Sequence, residues 1–556
     1  MQRRPQRRSS RGTSLILFPR FIPKGPIHWA LCLFLRFRVS NNPTMRSIFA
    51  KKTVEQILAE SEGGEHKLKR TLNVWSLIAI GIGCIIGTGI FVLTGKVAIE
   101  NSGPGIMLSF IICGVACILA ALCYAEFASF IPIAGSAYTY SFATMGEVVA
   151  WVIGWDLILE YGLSTSAVAG GWSSHFVNFL DLVFGVEFPK ELALTPADGG
   201  YANVPAMFIS LAITALLITG IKESARFNNI IVIVKLAVAF FFIGVGLIYV
   251  NPDNWSPFIP AIKQASSSGE SVIASVWDTP LWKIVAGWFG SSPTSSFGGV
   301  SGIVLGAATI FFAYIGFDAV STTAEEAENP SRDVPRGIIW SLIIATILYI
   351  LMSMVFTGIV RCDGTLTMED LGTDAGAPLV YAFKQVPNSM INKWAAILVD
   401  LGGLAGITSV LLVTLLGQSR IFYSMSRDRL LPPWIAKIHP RFQTPYVGTM
   451  ITGIAVSIVS GFVPLGTIAE MANMGTLFAF VLVSGGILVL RKTQPERIAP
   501  FRTPFVPYTP IIAILFCVGL MISLPLLTWT SFFIWMGIGM FVYFLYSHKN
   551  AGLPKK

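Results

Sequence analysis

Apolar stretches of about 20 residues recur along most of this chain, and short polar segments separate them. A helix needs about 20 apolar residues to cross the roughly 30 Å hydrocarbon core of a bilayer. The pattern predicts about twelve spans, at residues 73–94, 105–131, 145–175, 203–221, 229–250, 301–321, 337–360, 392–420, 446–463, 466–490, 508–526 and 529–547. We therefore expect an all-α polytopic membrane protein with a transmembrane domain at 71–547 and a tail at 548–556.

Composition supports this class. Hydrophobic residues make up 54% of the chain and charged residues 12%, and the mean hydropathy is +0.69. Soluble domains carry about 25% charged residues, so a soluble multidomain protein is excluded. The cysteines form no metal-binding CxxC pair, and we interpret most of them as packing residues. We predict no metal centre and no cofactor.

Positive charge indicates the orientation. If the segment before the first span is cytoplasmic, most Lys and Arg residues fall in inside loops. The outside segments then carry Lys96, Lys190, Lys263, Lys283, Arg361, Lys384 and Lys393. The positive-inside rule therefore predicts that both termini are cytoplasmic, in a protein of the cell membrane. The net charge of +9 follows from this topology, and we predict no nucleic-acid partner.

The first 44 residues differ from the rest of the chain. An arginine-rich stretch precedes an apolar run, Trp29 to Leu35, that is too short to cross a bilayer. Met45 opens a plausible natural start, so we interpret 1–44 as a basic extension that is disordered or belongs to an over-extended reading frame. The alternative is a basic tail that lies on anionic lipid. Residues 45–70 form a predicted cytoplasmic segment.

The first span contains a glycine-rich stretch, Gly81–Phe91, with four glycines. Glycine costs about 1 kcal/mol relative to alanine inside a helix, and open backbone within a bilayer survives only where it lines a cavity or is buried in protein. A broken helix at this depth frees amide groups that can bind a small anion such as a carboxylate. The alternative is close helix packing through small residues.

A second interruption is predicted in the sixth span, where aromatic residues meet Gly316 and Asp318. Two interrupted spans that are five apart are typical of an inverted five-helix repeat. If the two breaks face each other, amides of the first meet a carboxylate and carbonyls of the second meet an ammonium. A zwitterionic amino acid is the simplest ligand that carries both groups. The other predicted partner is the lipid bilayer that surrounds the helices.

Lys235 is an ionisable residue inside the fifth span, where such residues are costly and rare. Burial disfavours a charged ammonium, so one interpretation is a lysine that loses and regains a proton. The alternative is a side chain that snorkels to the membrane interface.

Acidic residues also fall within spans. Asp156 and Glu160 are one helical turn apart, share a face, and Glu160 is the deeper of the two. A hydrogen-bonded structural acid is the alternative for Glu160. Asp318 and Asp400 lie near the ends of apolar runs and are weaker candidates, and we expect His175 at the interface.

Three sequence blocks carry a resemblance to a known family: Gly81–Phe91, the stretch from Phe311 through the acidic Asn-Pro block to Ile338, and Gly417–Asp428. With them, the chain resembles bacterial amino acid permeases of the amino acid–polyamine–organocation superfamily, in the cationic-amino-acid-transporter-like branch. The resemblance covers most of the chain after Met45. It implies five-plus-five inverted-repeat helices followed by two C-terminal helices.

The resemblance also implies a substrate site. The substrate carboxylate would bind at Ile85, Thr88 and Gly89, and the substrate amine would bind carbonyls of Phe312, Ala313 and Ile315. Glu160 matches an acidic position near the pocket.

The resemblance places Lys235 where sodium-coupled relatives keep part of a sodium site, with its ammonium in place of the ion. Thr408 and Ser409 match the hydroxyl pair that would bind that ion. Proton coupling is therefore favoured over sodium coupling.

From these observations we expect a secondary active transporter of amino acids, a proton symporter that works by alternating access, and not an enzyme. Two alternatives use the same pocket: a non-transporting amino acid sensor and an amino acid exchanger. A membrane-embedded enzyme would need clustered His, Asp or Glu residues, and the five histidines are scattered. Apolar pocket candidates Ile407, Val410 and Val413 mildly favour a neutral substrate.

Overall fold

Helices dominate the described part of the chain. A computed structural model describes residues 51–52, 72–131, 135–262, 277, 279–288, 297–442, 444–496 and 499–551. The predicted extension 1–44, most of the segment 45–70 and residues 552–556 of the tail lie outside the described residues. All described residues belong to one unit, Ile48–Lys556.

Twelve spans follow one another along the described residues, as predicted. Eight helices are long and apolar enough to cross a membrane, and four shorter apolar helices accompany them. The uninterrupted spans are Ile106–Phe130 (second), Glu147–Phe184 (third), Val204–Thr219 (fourth), Ile221–Gly246 (fifth), Pro330–Ile359 (seventh), Ser389–Arg427 (eighth), Tyr446–Phe462 (ninth), Leu465–Thr493 (tenth), Tyr508–Ile522 (eleventh) and Leu526–Val542 (twelfth). The first span consists of Val74–Ile85 and the turns of 89–102, and the sixth of Gly299–Ile310, Phe311–Tyr314 and Ala319–Thr322.

The third and eighth spans are longer than the hydropathy pattern indicates. The third continues to Phe184 and the eighth to Arg427. The extensions include three buried polar residues, Asn178, Ser424 and Ser426. His175, which we expected at the interface, is fully buried and its Nδ1 is hydrogen-bonded to Asp400 Oδ1 of the eighth span. A polar side chain can lie inside the bundle when a neighbouring helix supplies its partner.

The third span is the centre of the packing, because it contacts both the eighth and the tenth spans along much of their length. The second span packs along the seventh, and the fourth along the ninth. Glycine allows such close approaches: a Cβ added at Gly453 of the ninth span would collide with Thr214 of the fourth. The two interrupted spans lie between these helices.

Candidate functional site

The first span is interrupted at Ile86 and Gly87. Its first helix ends at Ile85, and Ile86 has extended backbone with φ −78° and ψ 103°. The chain then resumes as π-helical turns, Gly89–Leu93. Because the first N–H groups of a helix have no partner inside it, the amides at Thr88 and Gly89 are available to a ligand. The hydroxyl of Thr88 is buried and has no hydrogen-bond partner among the described residues.

The sixth span is interrupted at Ile315 and Gly316. A tight helical turn, Phe311–Tyr314, precedes Ile315, whose ψ of 137° is extended. Gly316 has φ +109°, which a residue with a side chain rarely adopts. The carbonyl of Phe312 accepts a hydrogen bond from the Ile315 amide at 3.2 Å. Within the described residues, the Ile315 carbonyl itself accepts no hydrogen bond.

The two interruptions touch. A Cβ added at Gly89 would collide with the backbone and Cβ of Ala313, so only glycine permits the observed approach. Tyr349 of the seventh span joins them, since its hydroxyl lies 2.7 Å from the Ile85 carbonyl oxygen and 2.8 Å from that of Ala313. A hydroxyl has one proton to donate, so the two carbonyls share it.

Lys235 reaches the first interruption from the fifth span. Its Nζ donates hydrogen bonds to Gly83 O at 2.6 Å and to Ile86 O at 2.9 Å, and the residue is completely buried. Ser409 Oγ of the eighth span donates to the same Gly83 carbonyl at 3.4 Å. Backbone carbonyls and a hydroxyl are ligands that a small cation would take, and here the Lys235 amino group binds the carbonyls.

Thr408 is not part of this cluster. Its Oγ1 donates to Leu404 O at 2.7 Å and accepts from Trp172 Nε1 at 3.0 Å. Neighbouring positions on a helix point about 100° apart, so Ser409 faces the first span while Thr408 faces the third. Of the hydroxyl pair predicted from the sequence, the structure brings only Ser409 to Gly83.

Glu160 lies where the third span packs against the tenth. A Cβ added at Gly475 of the tenth span would be 3.1 Å from Asp156 Oδ1 and 3.6 Å from Glu160 Cβ. Thr476 is near Glu160, but its hydroxyl donates to Ala472 O at 3.0 Å. In the described part of the chain, the carboxylate oxygens of Asp156 and Glu160 are buried without a hydrogen-bond partner.

Glu160 lies near the interruption of the sixth span and far from the interruption of the first span. Gly171, which contacts Thr88, is eleven residues along the same helix face, which corresponds to about 16 Å of axial rise. Asp318, directly after Gly316, is instead within electrostatic range of Glu160. Tyr161 Oη donates to Asp318 Oδ2 at 2.6 Å. A buried acidic cluster therefore adjoins the carbonyl side of the site.

A sequence model for amino acid permeases matches residues 72–545, which is most of the chain. The chain belongs to the amino acid permease family. This membership agrees with the broken-helix geometry and makes the chain a multi-pass membrane transporter.

Three relatives illustrate the range of the family. The permease is 45% identical to the methylthioribose transporter of Bacillus subtilis, over 92% of this chain and 100% of the relative. It is 43% identical to the branched-chain amino acid permease BcaP of the same organism, over 91% and 99% of the two chains. It is 37% identical to the vacuolar cationic amino acid transporter 2 of Arabidopsis thaliana, over 82% of this chain and 64% of the relative.

Sequence reasoning missed Tyr349 of the permease. The available signal was its position, because a tyrosine at mid-span is far from the interfaces where aromatic residues with polar groups concentrate. A hydroxyl at that depth needs a partner inside the protein, and interrupted helices are where carbonyl partners are exposed.

Ion pairs join the other ends of the interrupted helices to the scaffold. The backbone of Leu72, just before the first span, is hydrogen-bonded to Glu326 and Glu328 after the sixth. Arg420 of the eighth span pairs with Glu326 at 2.6 Å. Lys52 pairs with Asp428 at 2.7 Å, and the same carboxylate accepts from Tyr138 Oη at 2.6 Å. These contacts therefore link the first, sixth and eighth spans to one another at the end predicted to be cytoplasmic.

Proposed function

We propose that this permease is a proton-coupled symporter that carries a neutral amino acid across the cell membrane by alternating access. The observation that carries the proposal is the contact between the two interrupted spans. A segment with amide donors, at Thr88 and Gly89, directly opposes a segment with carbonyl acceptors, at Ala313 and Ile315. A zwitterion matches both.

Binding would use main chain more than side chains. The carboxylate would accept hydrogen bonds from the amides at Thr88 and Gly89, with the unpartnered Thr88 hydroxyl as a further donor. The ammonium would donate to the carbonyl of Ile315 and to the second lone pairs of Phe312 and Ala313. Because Gly89 and Ala313 are in direct contact, the amides of the first span and the carbonyls of the sixth are close enough for one amino acid to reach both.

Coupling would act through Lys235. When protonated, its ammonium binds Gly83 O and Ile86 O and holds the end of the first helix against the fifth and eighth spans. A neutral amine would bind these carbonyls more weakly, since hydrogen bonds from charged donors are about twice as strong. Gain and loss of one proton would therefore bias the position of the first helix.

Alternating access would require the ties at the predicted cytoplasmic end to break. The pairs Arg420–Glu326 and Lys52–Asp428 each link a moving part, the sixth span or the segment before the first, to the eighth span. The backbone amide of Leu72 is hydrogen-bonded to the carbonyl of Glu326. The start of the first span and the end of the sixth would therefore move together. No covalent chemistry is needed, which agrees with a function other than catalysis.

The substrate class is supported by apolar side chains of the eighth span, one of which lies beside the first break. Ile407, Val410 and Val413 are buried, and Val410 packs directly on Gly87. Apolar walls favour a neutral, apolar side chain. A related protein is a branched-chain amino acid permease, which agrees with this choice. A second related protein is a methylthioribose transporter, and this neutral thioether sugar is the second candidate substrate.

Uptake into proteoliposomes tests the proposal. The purified protein would be reconstituted, and accumulation of labelled leucine, valine, alanine, lysine, glutamate and methylthioribose would be followed with and without an inward proton gradient, in the absence of sodium. We expect a neutral amino acid to accumulate above equilibrium when the gradient is present. Equal uptake with and without the gradient would contradict symport and favour exchange. Substrate binding without any transport would favour a sensor.

A further inference from the structure

A basic cleft lies where the tenth span ends and the loop to the eleventh span begins. It has a volume of about 540 Å³, and its lining includes Arg491, Lys492, Arg502 and Thr503. Lys492 and Arg502 are exposed, whereas Thr503 is buried. This cleft lies outside the substrate site, and the transport mechanism does not use it.

The inner wall of the cleft is held in place. Arg491 forms an ion pair with the buried Glu126 of the second span at 2.9 Å. The backbone amide of Thr503 donates to the other oxygen of Glu126 at 2.8 Å, and its hydroxyl donates to Leu122 O at 3.0 Å. Glu126 therefore has partners on both of its carboxylate oxygens.

Arg491 keeps unused hydrogen-bonding capacity. Its Nε is buried and, among the residues that the structure describes, has no hydrogen-bond partner. A guanidinium binds phosphate oxygens through several parallel hydrogen bonds. Lys492 and Arg502, beside it, are exposed and add positive charge. This set of donors fits a phosphate group.

The surroundings are apolar and aromatic. Phe505 and Tyr508, beside the cleft, are 83% and 69% exposed. Exposed aromatic residues are typical of the membrane–water interface. The eleventh span then presents Ile511, Leu515 and Val518, which are exposed on one helix face and lead away from the cleft. A free phosphate makes no favourable contact with an apolar helix face, whereas a lipid acyl chain can pack along it.

We propose that this cleft binds the headgroup phosphate of an anionic phospholipid of the cytoplasmic leaflet, with its acyl chains along the eleventh span. Basic pockets at the cytoplasmic ends of membrane helices suit this chemistry, and each nearby Lys or Arg strengthens anionic lipid binding. Arg491 and the Thr503 loop shape the cleft, while Lys492 and Arg502 supply the attraction for the negative charge.

The test uses the full-length protein in detergent and native mass spectrometry with added phosphatidylglycerol, phosphatidylcholine or inorganic phosphate. Lys492→Gln/Arg502→Gln should weaken phosphatidylglycerol binding about tenfold or more and leave phosphatidylcholine binding unchanged. The charge-conserving Lys492→Arg/Arg502→Lys should retain binding. Lys437→Gln/Arg441→Gln, which removes two exposed cations before the ninth span, is the matched control and should have no effect.

Three results would overturn the proposal. Unchanged phosphatidylglycerol affinity in the double Gln variant would remove the cleft as the site. Equal binding of phosphatidylcholine would mean that acyl chains alone are recognised. Displacement of phosphatidylglycerol by inorganic phosphate at equal concentration would make it a site for free anions.

Discussion

Gly89→Ala is the smallest change that tests the contact between the interrupted spans. The added Cβ would overlap the Cα and Cβ of Ala313 and would lie 3.0 Å from its backbone nitrogen. These are backbone atoms or atoms fixed to the backbone, so they cannot rotate away as the end of a flexible side chain could. The methyl group would occupy the space between the amide donors and the carbonyl acceptors.

The expected effect follows from the cost of overpacking. Forcing one extra methyl group into a packed interior costs about 1–3 kcal/mol. If that cost falls on the state in which both segments hold the substrate, affinity decreases about 5-fold to 150-fold. Gly89→Leu, with a much larger side chain, should abolish binding.

Gly162→Ala is the matched control. Gly162 is also a glycine of a membrane helix, but a Cβ there would meet nothing within 4 Å. Alanine is favoured over glycine inside a helix, so this variant should bind substrate normally and unfold no earlier than the wild type.

The assay is equilibrium binding of the best transported amino acid to purified, monodisperse protein, with thermal unfolding of each variant measured without substrate. We expect reduced affinity in Gly89→Ala and unchanged affinity in Gly162→Ala. Wild-type affinity in a well-folded Gly89→Ala variant would refute the reasoning, because the site would then not depend on bare backbone at this position.

Three further predictions address the groups around the site. Lys235→Met should abolish accumulation driven by a proton gradient while some substrate binding remains, as measured by uptake at varied external pH without sodium. Accumulation that still follows the gradient would mean that another residue carries the proton, and Glu160 would be tested next. Tyr349→Phe should lower stability by about 1–3 kcal/mol, because buried carbonyls lose their donor; thermal unfolding checks this, with the partly buried Tyr381→Phe as the control. Asp428→Asn should increase hydrogen exchange at the start of the first span, whereas Asp363→Asn, in an exposed ion pair, should not. Equal protection in both variants would mean that the Lys52–Asp428 pair does not hold the start of the first span in place.

Much of the architecture could be predicted from the sequence because membranes impose strong constraints. Apolar runs indicate spans, and glycine clusters inside them indicate broken helices, as at Gly81–Phe91 and Gly316. Lys235 stood out for the same reason, since a cation within a span needs a polar partner. The structure supplies that partner as the carbonyls of Gly83 and Ile86.

The remaining features depend on how helices face one another, which hydropathy does not encode. Thr408 and Ser409 are adjacent in sequence but point to different helices, so only one reaches Gly83. His175 was expected at the interface because the polar partner that buries it, Asp400, is more than 200 residues away. Glu160 adjoins the second interruption because of the helix face it occupies and its distance along the third span.

The central claim is that an amino acid binds between the two interrupted spans through main-chain groups. A cryo-EM structure of the protein in a lipid nanodisc, with the best transported amino acid at saturating concentration, tests this most directly. We expect the carboxylate within about 3.2 Å of the Thr88 or Gly89 amide nitrogen and the ammonium beside the Ile315 carbonyl. A substrate bound elsewhere, with neither group within hydrogen-bonding distance of these main-chain atoms, would contradict the account.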